Sequence, residues 1–357
     1  MANTPNEELD IAGALNRDDL KWYDVRQAPF HIYGLYHPSE EPVFKRLPDE
    51  IGLHTNQWIS DLYLESAGGR IRFSTDSAFV AVRVEYNFVR PSTHFSLSGK
   101  AGLDLFIDEP DLGISRFHRA FIPPEGMKDG FESLVKFPSD GKTRLITIHM
   151  PNYASVRDLF IGIHKDAALS EGMKYRDMKP IVYYGSSITQ GACACRPGNA
   201  YENIITRRMN IDHINLGFSG SALGEDIIAG YMATLEMSAF VSDYDHNAPD
   251  SAHLRATHEK LYRTIRASHP DVPYIMISRP DYYLHVQDTT NRRNVVMETY
   301  LKAKSEGDAN VWYIDGASFF RGPYEDLCTV DATHPNDLGF ALMADHIEME
   351  LRHALTL

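Results

Sequence analysis

The sequence predicts an α/β protein in which an all-β sandwich precedes a parallel sheet that is covered by helices on both faces. Three observations support this fold class. The 357 residues exceed the usual size of a single hydrophobic core, so two domains are expected. Apolar and polar residues alternate with period two up to about residue 165, and from about residue 179 apolar strands alternate with helical segments. We therefore predict one domain at residues 1–170 and a second at residues 179–357.

Short alternating segments, separated by Gly, Pro, Ser and Asp, fill the first domain. The stretch GGRIRFSTDSAFVAVRVEYNF (68–88) alternates around a turn, and GLDLFIDE (102–109) and TRLITIHMP (143–151) have the same texture. Half-buried strands give this alternation because successive side chains point to opposite faces of a sheet. The pattern predicts a β-sandwich, with residues 166–178 as the linker to the second domain.

Five short apolar strands make up the second domain, and helical segments separate them. The predicted strands are PIVYY (180–184), HINLGF (213–218), SAFVSDY (238–244), PYIMISRP (273–280) and VWYIDGA (311–317). Apolar residues recur three and four apart in residues 251–269, 292–307 and 335–355, as in amphipathic helices. This alternation predicts a parallel sheet buried on both faces, and such sheets bind ligands beyond the carboxyl ends of their strands.

The residues that follow the strands suggest acyl-transfer chemistry. They are a serine pair, a turn glycine, an asparagine, an aspartate and a histidine: Ser186, Ser187, Gly220, Asn247, Asp331 and His334. Ester hydrolysis needs a serine hydroxyl, an imidazole to take its proton, an acceptor to fix the imidazole tautomer and donors for the oxyanion. Residues three apart on a helical turn share one face, so the D-x-x-H spacing lets Asp331 orient His334.

Four segments resemble, in order, the sequence blocks of the SGNH (GDSL-type) hydrolase family. They are GSSIT (185–189), GFSG (217–220), the segment around Asn247 and DATHP (331–335), and the resemblance covers roughly residues 180–350. It implies that Ser187, rather than Ser186, is the nucleophile and that Asp331 and His334 complete a catalytic triad. It also implies an oxyanion hole formed by Ser187, Gly220 and Asn247, with no cofactor and no metal.

The first half resembles the N-terminal β-domain of one subgroup of this family, which carries a G-x-D-L-Y motif. GLDLF (102–106) stands in that place with Phe for Tyr, and residues 146–163 are similar to the stretch that closes the β-domain. The resemblance implies a jelly-roll-like sandwich followed by a flavodoxin-like three-layer α/β/α domain with a five-stranded parallel sheet.

The chain also departs from the family pattern. The common G-D-S is G-S-S here, and the third block reads DYDHNAP where G-x-N-D is usual. Asp245 occupies the usual glycine position, and alanine follows Asn247.

Other residues offer rival interpretations. Cys193 and Cys195 could be a thiol nucleophile or a metal pair, but C-x-C lacks the second pair of a zinc site, and small buried residues are favoured. His246 could replace His334 as the base, although it has no carboxylate at the same spacing. Arg279 and Asp281 could shape a substrate pocket or form a structural ion pair.

We therefore expect a serine esterase or deacylase that acts on a small acyl ester, acetyl in particular, of a carbohydrate or similar polyol. Two alternatives stay open: an acyltransferase that uses the same acyl-enzyme, and a carbohydrate-binding protein with a vestigial site. The expected partner is a small-molecule or oligosaccharide ester.

Charge and termini give the remaining expectations. The formal charge of −14 argues against nucleic acid or an anionic membrane as the main partner, and a homo-oligomer stays open. No signal peptide is visible, and three cysteines do not make a disulfide framework, so we expect a cytoplasmic protein.

Overall fold

The computed structural model describes residues 9–280 and 286–357, and it has the mixed α/β organisation that the sequence predicts. The strands of the described residues form three sheets. Two of these sheets use strands from the first half of the chain, and the third uses strands from the second half. Among the described helices, none is long and apolar enough to cross a membrane.

The first sheet has the strand order β1-β8-β5-β10-β2. Its strands are β1 (Ile11–Ala12), β2 (Leu20–Asp24), β5 (Phe79–Val89), β8 (Gly130–Lys136) and β10 (Ala154–His164). All neighbours are antiparallel except β1 and β8, which are parallel.

The second sheet is antiparallel and has the order β11-β4-β9-β6-β7, with β3 also paired to β4. Its strands are β3 (His31–Tyr33), β4 (Arg70–Thr75), β6 (Leu103–Glu109), β7 (Ile114–Phe121), β9 (Arg144–His149) and β11 (Leu169–Glu171). The segment that we predicted as a linker therefore contains β11. It belongs to the sheet because Leu169–Glu171 pair antiparallel with β4. Ser74 and Thr75 of β4 add side-chain hydrogen bonds to the carbonyls of Glu171 and Ala168.

One apolar cluster lies between these two sheets. Val80, Val82 and Val84 of β5 and Ile146 and Ile148 of β9 are fully buried in it, at every second position of their strands. The period-two alternation therefore marks the inner faces of a two-sheet arrangement.

The third sheet is parallel and has the order β13-β12-β14-β15-β16. Its strands are β12 (Ile181–Gly185), β13 (His213–Gly217), β14 (Ala239–Asp243), β15 (Tyr274–Ile277) and β16 (Val311–Ile314). Gly185 at the end of β12 is in register with Gly217 of β13 and with Asp243 of β14. Three strands thus end level with one another, and their loops meet at one edge.

Helices cover both faces of the parallel sheet. They are α4 (Ser187–Gln190), α5 (Tyr201–Met209), α6 (Asp226–Met232), α7 (Ser251–Ser268), α8 (Val286–Ser305) and α9 (Asp337–Ala354). Val182 and Tyr184 face the apolar cluster formed with α6, α7 and α8, whereas Ile181 and Tyr183 face the cluster formed with α5 and α9.

Three further short helices come from the first half of the chain. They are α1 (Asp49–His54), α2 (Ile59–Leu62) and α3 (Leu97–Lys100). Leu47, Ile59 and Leu62 belong to the apolar cluster on the α6–α8 face of the parallel sheet. A segment of the first half therefore packs in the core of the second half.

Candidate active site

Ser187 lies at the tight turn between β12 and α4. It is the first residue of α4, and the hydroxyl of the preceding Ser186 caps this helix by accepting a hydrogen bond from the amide of Ile188 at 3.1 Å. Gly185 has no room for a side chain, because a Cβ there would collide with the carbonyl oxygen of Asp243 and with Thr189. The sequence G-S-S-I-T thus gives the two serines different environments.

The structure brings Ser187, His334 and Asp331 into one hydrogen-bonded chain. The Oγ of Ser187 is 2.8 Å from Nε2 of His334, and Nδ1 of His334 is 2.8 Å from Oδ2 of Asp331. Ser187 is 147 residues from His334 in sequence, so the fold alone makes this contact.

Asp331 and His334 are held together by a loop that precedes α9, and not by the helical turn that we expected. Oδ1 of Asp331 accepts hydrogen bonds from the amides of Thr333 at 3.2 Å and of His334 at 2.8 Å. Ala332 between them has a positive φ of 69°, which closes the loop. One carboxyl oxygen therefore fixes the backbone and leaves the other for the imidazole.

The electrostatics favour a neutral imidazole beside an ionised carboxylate. Burial lowers the pKa of His334; Asp331 raises it, and His246 and His94 lower it further, so the net pKa is below the ordinary value. Burial alone would raise the pKa of Asp331, but hydrogen bonds from the amide and ring of His334 bring it below the ordinary value. At neutral pH, His334 can therefore accept a proton at Nε2.

The loops after β13 and β14 bring Gly220 and Asn247 to the same edge of the sheet. Gly220 is exposed with φ of 68°, and a side chain at this position would have open space around it. Within the described part of the chain, the amides of Ser187 and Gly220 donate no backbone hydrogen bond outside regular helices and strands. Nδ2 of Asn247 donates to the carbonyl of Phe218 at 2.8 Å and so links the two loops.

Asp245, the unusual aspartate of the third block, forms hydrogen bonds that hold neighbouring segments together. Asp245 is buried, its Oδ2 accepts from the amide of Arg279 at 3.0 Å, and its carbonyl accepts from Nη1 of Arg292 at 2.6 Å. Arg279 is also 3.5 Å from Asp288, which is the ion-pair alternative for this arginine. Asp281 lies outside the described residues.

The first half of the chain contributes three aromatic residues to this edge, and sequence reasoning did not identify them. The hydroxyl of Tyr153 donates to the carbonyl of Ser187 at 3.2 Å. The ring of Phe95 lies 4.8 Å from that of Tyr153 and 5.9 Å from that of His334. Nε2 of His94 is 3.7 Å from Oδ2 of Asp331. The only sequence signal was the resemblance of residues 146–163, which include Tyr153.

A buried polar network connects the same half of the chain to the loop that carries Gly220. Glu65 is fully buried and hydrogen-bonds to the side chains of Arg90 and Gln190. Oε1 of Gln190 accepts from the amide of Ser219 at 2.9 Å. Burial raises the pKa of Glu65, and the neighbouring arginines only partly offset this.

Arg46 anchors the strand that leads into this loop. Its buried guanidinium donates to the carbonyls of Glu65 at 2.8 Å, Leu62 at 2.6 Å and Asn215 at 3.2 Å, and also to that of Gly217. The arginine thus donates the hydrogen bonds that the buried carbonyls at the end of β13 would otherwise need from water.

Asp104 of the GLDLF motif joins the two halves of the chain. It is fully buried, with Oδ1 2.9 Å from Nδ1 of His149 and Oδ2 2.7 Å from Nη1 of Arg196. The amide of Gly198 donates to the same Oδ2 at 3.0 Å. Arg196 and Gly198 follow α4, so the motif of the first half holds the segment that follows Ser187 and α4.

The cysteines differ from one another. Cys193 is buried and Cys195 is exposed, so the expectation of small buried residues is confirmed for Cys193 and wrong for Cys195. Burial raises the pKa of Cys193 to about 12, and partial desolvation of the sulfur together with the carboxylate of Asp337 raises that of Cys195 to about 12. Both values disfavour a thiolate nucleophile at neutral pH.

Comparison with known families places this site in context. Residues 178–352 match the family model described as GDSL-like Lipase/Acylhydrolase family, and residues 20–169 match the model described as the N-terminus of Esterase_SGNH_hydro-type. With the fold, these matches define a carboxylic ester hydrolase. The chain belongs to the SGNH (GDSL-type) hydrolase family, in the subgroup with an N-terminal GxDLY domain.

Solved structures share the whole architecture. A protein from Bacteroides ovatus described as a GDSL-like lipase is 25% identical with a TM-score of 0.84, over 94% of this chain and 98% of its own. A salicylyl-acyltransferase from a tetracycline biosynthetic pathway is 19% identical with a TM-score of 0.75, over 94% and 98%. A family two carbohydrate esterase from Clostridium thermocellum, solved with cellohexaose, is 15% identical with a TM-score of 0.64, over 92% and 99%. A search of curated proteins gave no match.

Proposed function

We propose that the protein is a serine esterase that removes a small acyl group, expected to be acetyl, from a carbohydrate or similar polyol. The observation that carries this proposal is the chain of two 2.8 Å hydrogen bonds from Ser187 through His334 to Asp331. A serine, an imidazole and a carboxylate in this order are the groups that form and hydrolyse an acyl-enzyme.

In the acylation step, Oγ of Ser187 attacks the ester carbonyl while Nε2 of His334 takes the hydroxyl proton. Asp331 accepts the Nδ1 proton, which fixes the tautomer and stabilises the imidazolium that forms. The imidazolium then gives its proton to the leaving alcohol, and Ser187 carries the acyl group.

In the deacylation step, His334 takes a proton from a water molecule that attacks the acyl carbonyl, and it returns this proton to Oγ of Ser187 as the acyl–Oγ bond breaks and the carboxylic acid leaves. The oxyanion of both steps is stabilised by the amides of Ser187 and Gly220 and by Nδ2 of Asn247. The amides support this role because they donate no backbone hydrogen bond outside regular elements among the described residues, and Gly220 is exposed.

The alcohol side of the substrate is inferred from the surface beside the triad. An open cavity of about 450 Å³ is lined by His94, Ser96, Cys193, Cys195 and Asp337, with Val330, Asn336 and Leu338. Its lining is mostly apolar, but Ser96, Asn336 and Asp337 offer hydrogen-bonding groups to a hydroxylated alcohol. A protein of the same fold is a carbohydrate esterase solved with cellohexaose. Acetyl as the acyl group rests on the family resemblance.

The decisive experiment compares the two adjacent serines on an aryl acetate. Ser187→Ala should lower kcat by about 10⁴- to 10⁶-fold, because the nucleophile is lost. Ser186→Ala should keep the chemistry and cost about 1 kcal/mol of stability, since it removes only the cap of α4. If Ser187→Ala retained most of the activity, the mechanism would be wrong.

An acyltransferase is the second candidate, favoured by the similarity in fold to the salicylyl-acyltransferase. It would use the same acyl-enzyme with an alcohol or amine in place of water. Products formed from an aryl acetate with and without added sugars distinguish the two. If the acylated sugar formed in excess of the free acid, the protein would be an acyltransferase rather than an esterase.

A carbohydrate-binding protein with a vestigial site is tested by covalent labelling. An organophosphonate should label Ser187 and give a mass increase on the peptide that contains it. An unlabelled Ser187 in folded protein would favour the vestigial site.

A further inference from the structure

Three metal-ligating side chains meet beside the nucleophile. They are His94 from the loop after β5, Cys193 from the loop after α4 and His334 from the loop before α9. One ligand atom of each lies within 4.8 Å of the others. In sequence they are scattered, so neither the C-x-C spacing nor a histidine motif indicated the cluster.

We propose that His94, Cys193 and His334 form an inhibitory site for a thiophilic divalent cation such as Zn²⁺. The bound ion occupies the imidazole nitrogen that the nucleophile uses, and it thereby stops ester hydrolysis. The inhibitory effect rests on the proposed function, whereas binding of the ion does not.

The hydrogen bonds of His334 determine which of its nitrogens can coordinate the ion. Nδ1 is held by Asp331 at 2.8 Å, so the lone pair that accepts from Ser187 is on Nε2. Zinc-bound histidines characteristically donate their other ring nitrogen to a carboxylate in this way. The pairing that prepares His334 as a base therefore also prepares it as a metal ligand.

The donor set fits a soft, four-coordinate cation. Zinc binds imidazole nitrogen at about 2.0 Å and thiolate sulfur at about 2.3 Å, with ligand atoms some 3.3–3.6 Å apart in a tetrahedron. The present separations of up to 4.8 Å must shorten, and His94 can move because its side chain is 41% exposed. The free thiol of Cys193 is protonated at neutral pH, and the cation displaces this proton to solvent as it binds the sulfur. A water molecule completes the coordination.

The surroundings provide access and charge. His94 and Cys193 both line the open cavity of about 450 Å³, so an ion reaches them from solvent. Asp331, 3.7 Å from His94, places negative charge next to the site. Cys195 lines the same cavity, but its backbone amide donates to Asp337 and its Sγ accepts from Asn199. It is therefore the matched control for Cys193.

The first experiment measures aryl acetate hydrolysis against free Zn²⁺. Saturating zinc should lower kcat/KM by about 10²-fold or more, since general-base catalysis by His334 is lost, and a chelator should restore it. Cys193→Ser and His94→Gln should each raise the inhibitory zinc concentration by about tenfold or more. Cys195→Ser should be inhibited like the unmodified protein.

The second experiment measures binding without catalysis. Co²⁺ added to the Ser187→Ala protein should give a near-ultraviolet charge-transfer band from thiolate to metal. The band should disappear in Ser187→Ala/Cys193→Ser and persist in Ser187→Ala/Cys195→Ser. If the unmodified protein hydrolysed no ester while this band appeared, the proposed function would fail and the metal site would stand.

Three results would overturn the site. The first is that zinc leaves the esterase activity unchanged. The second is that zinc inhibits the Cys193→Ser and His94→Gln proteins as strongly as the unmodified protein, and the third is that the cobalt band depends on Cys195 or does not form. His94 is exposed, so His94→Gln gives a folded test even if Cys193→Ser were unstable.

Discussion

Asp331 shows how one carboxylate can serve structure and chemistry together. Its Oδ1 accepts two amides of its own loop, and its Oδ2 holds the ring of His334. The loop therefore keeps the imidazole in place before substrate arrives. At the residue scale, the proposed catalysis would therefore rely on backbone hydrogen bonds that hold the reacting side chains in place.

Asn247 allows a prediction at the same scale. Asn247→Ala should lower kcat on an aryl acetate by about 10²- to 10³-fold with little change in KM, because an oxyanion donor acts mainly in the transition state. Steady-state kinetics at saturating ester would measure this.

Asn56→Ala is the control for Asn247→Ala. Asn56 also donates its amide to a carbonyl of the same loop, that of Ser221 at 3.0 Å, but lies in the segment before α2. If both variants lost kcat equally, then Asn247 would act by tethering the loop rather than by stabilising the oxyanion.

The residues of the site were predictable to different degrees. Ser187, Asp331 and His334 stand in short sequence blocks, and the structure places them within hydrogen-bond distance, although their catalytic roles stay predictions. Tyr153 and Glu65 carry no such pattern. Their contacts with Ser187 and Gln190 depend on how two distant halves of the chain pack.

At the scale of elements, strand ends position the site. The level ends of β12, β13 and β14 bring three loops together, as expected for a parallel sheet. The local conformation of the D-x-x-H segment was not predictable, because a carboxylate that accepts nearby amides competes with the helix. Predicted strands were accurate to about two residues at most ends, since apolar runs stop where burial stops.

Asp104 connects β6 with the segment that follows Ser187 and α4, and its removal should be costly. Asp104→Ala should lower the free energy of unfolding by about 3–5 kcal/mol, because His149 and Arg196 would lose their shared carboxylate in a buried site. Urea denaturation at neutral pH would measure this change.

Asp19→Ala is the matched control for Asp104→Ala. It removes the exposed carboxylate that pairs with Arg17 at 2.7 Å, and it should change stability little, since exposed pairs are screened by water. An equally small effect of Asp104→Ala would contradict the role of the motif as a buried connection.

At the scale of the whole molecule, neutral histidines are buried in both halves. Burial lowers the pKa of His149 and of His258 to about 4 and lowers that of His213 well below its ordinary value of 6.5. His149 lies in β9 of the first half, whereas His258 lies in α7 and His213 lies in β13 of the second half. Acid should therefore affect the stability of both halves.

The sign of this effect follows from proton uptake. Well above pH 6.5 the three histidines are neutral in both states and have no effect. As pH falls from 6.5 to about 4, the unfolded chain binds protons that the folded chain does not, so stability falls. Urea unfolding at pH 7 and pH 5 should show a lower free energy of unfolding at pH 5.

His258→Gln should reduce the difference between these two pH values. His258 stacks on Tyr244 and is hydrogen-bonded to Thr299 at 2.9 Å. The variant replaces the titrating ring with an amide that does not titrate and that offers a hydrogen-bonding group in place of the ring nitrogen. A difference as large as in the unmodified protein would mean that other groups carry the acid sensitivity.

The guanidinium of Arg46 has a consequence for biosynthesis. Two of its acceptors, the carbonyls of Asn215 and Gly217, follow it by 169 and 171 residues. At about 5–20 residues per second, the ribosome takes roughly 10 to 30 s to synthesise them after Arg46. During that interval the guanidinium of Arg46 lacks these two acceptors, and it must stay hydrated. The contact between Arg46 and the end of β13 can therefore form only late in translation, when β13 has emerged from the ribosome.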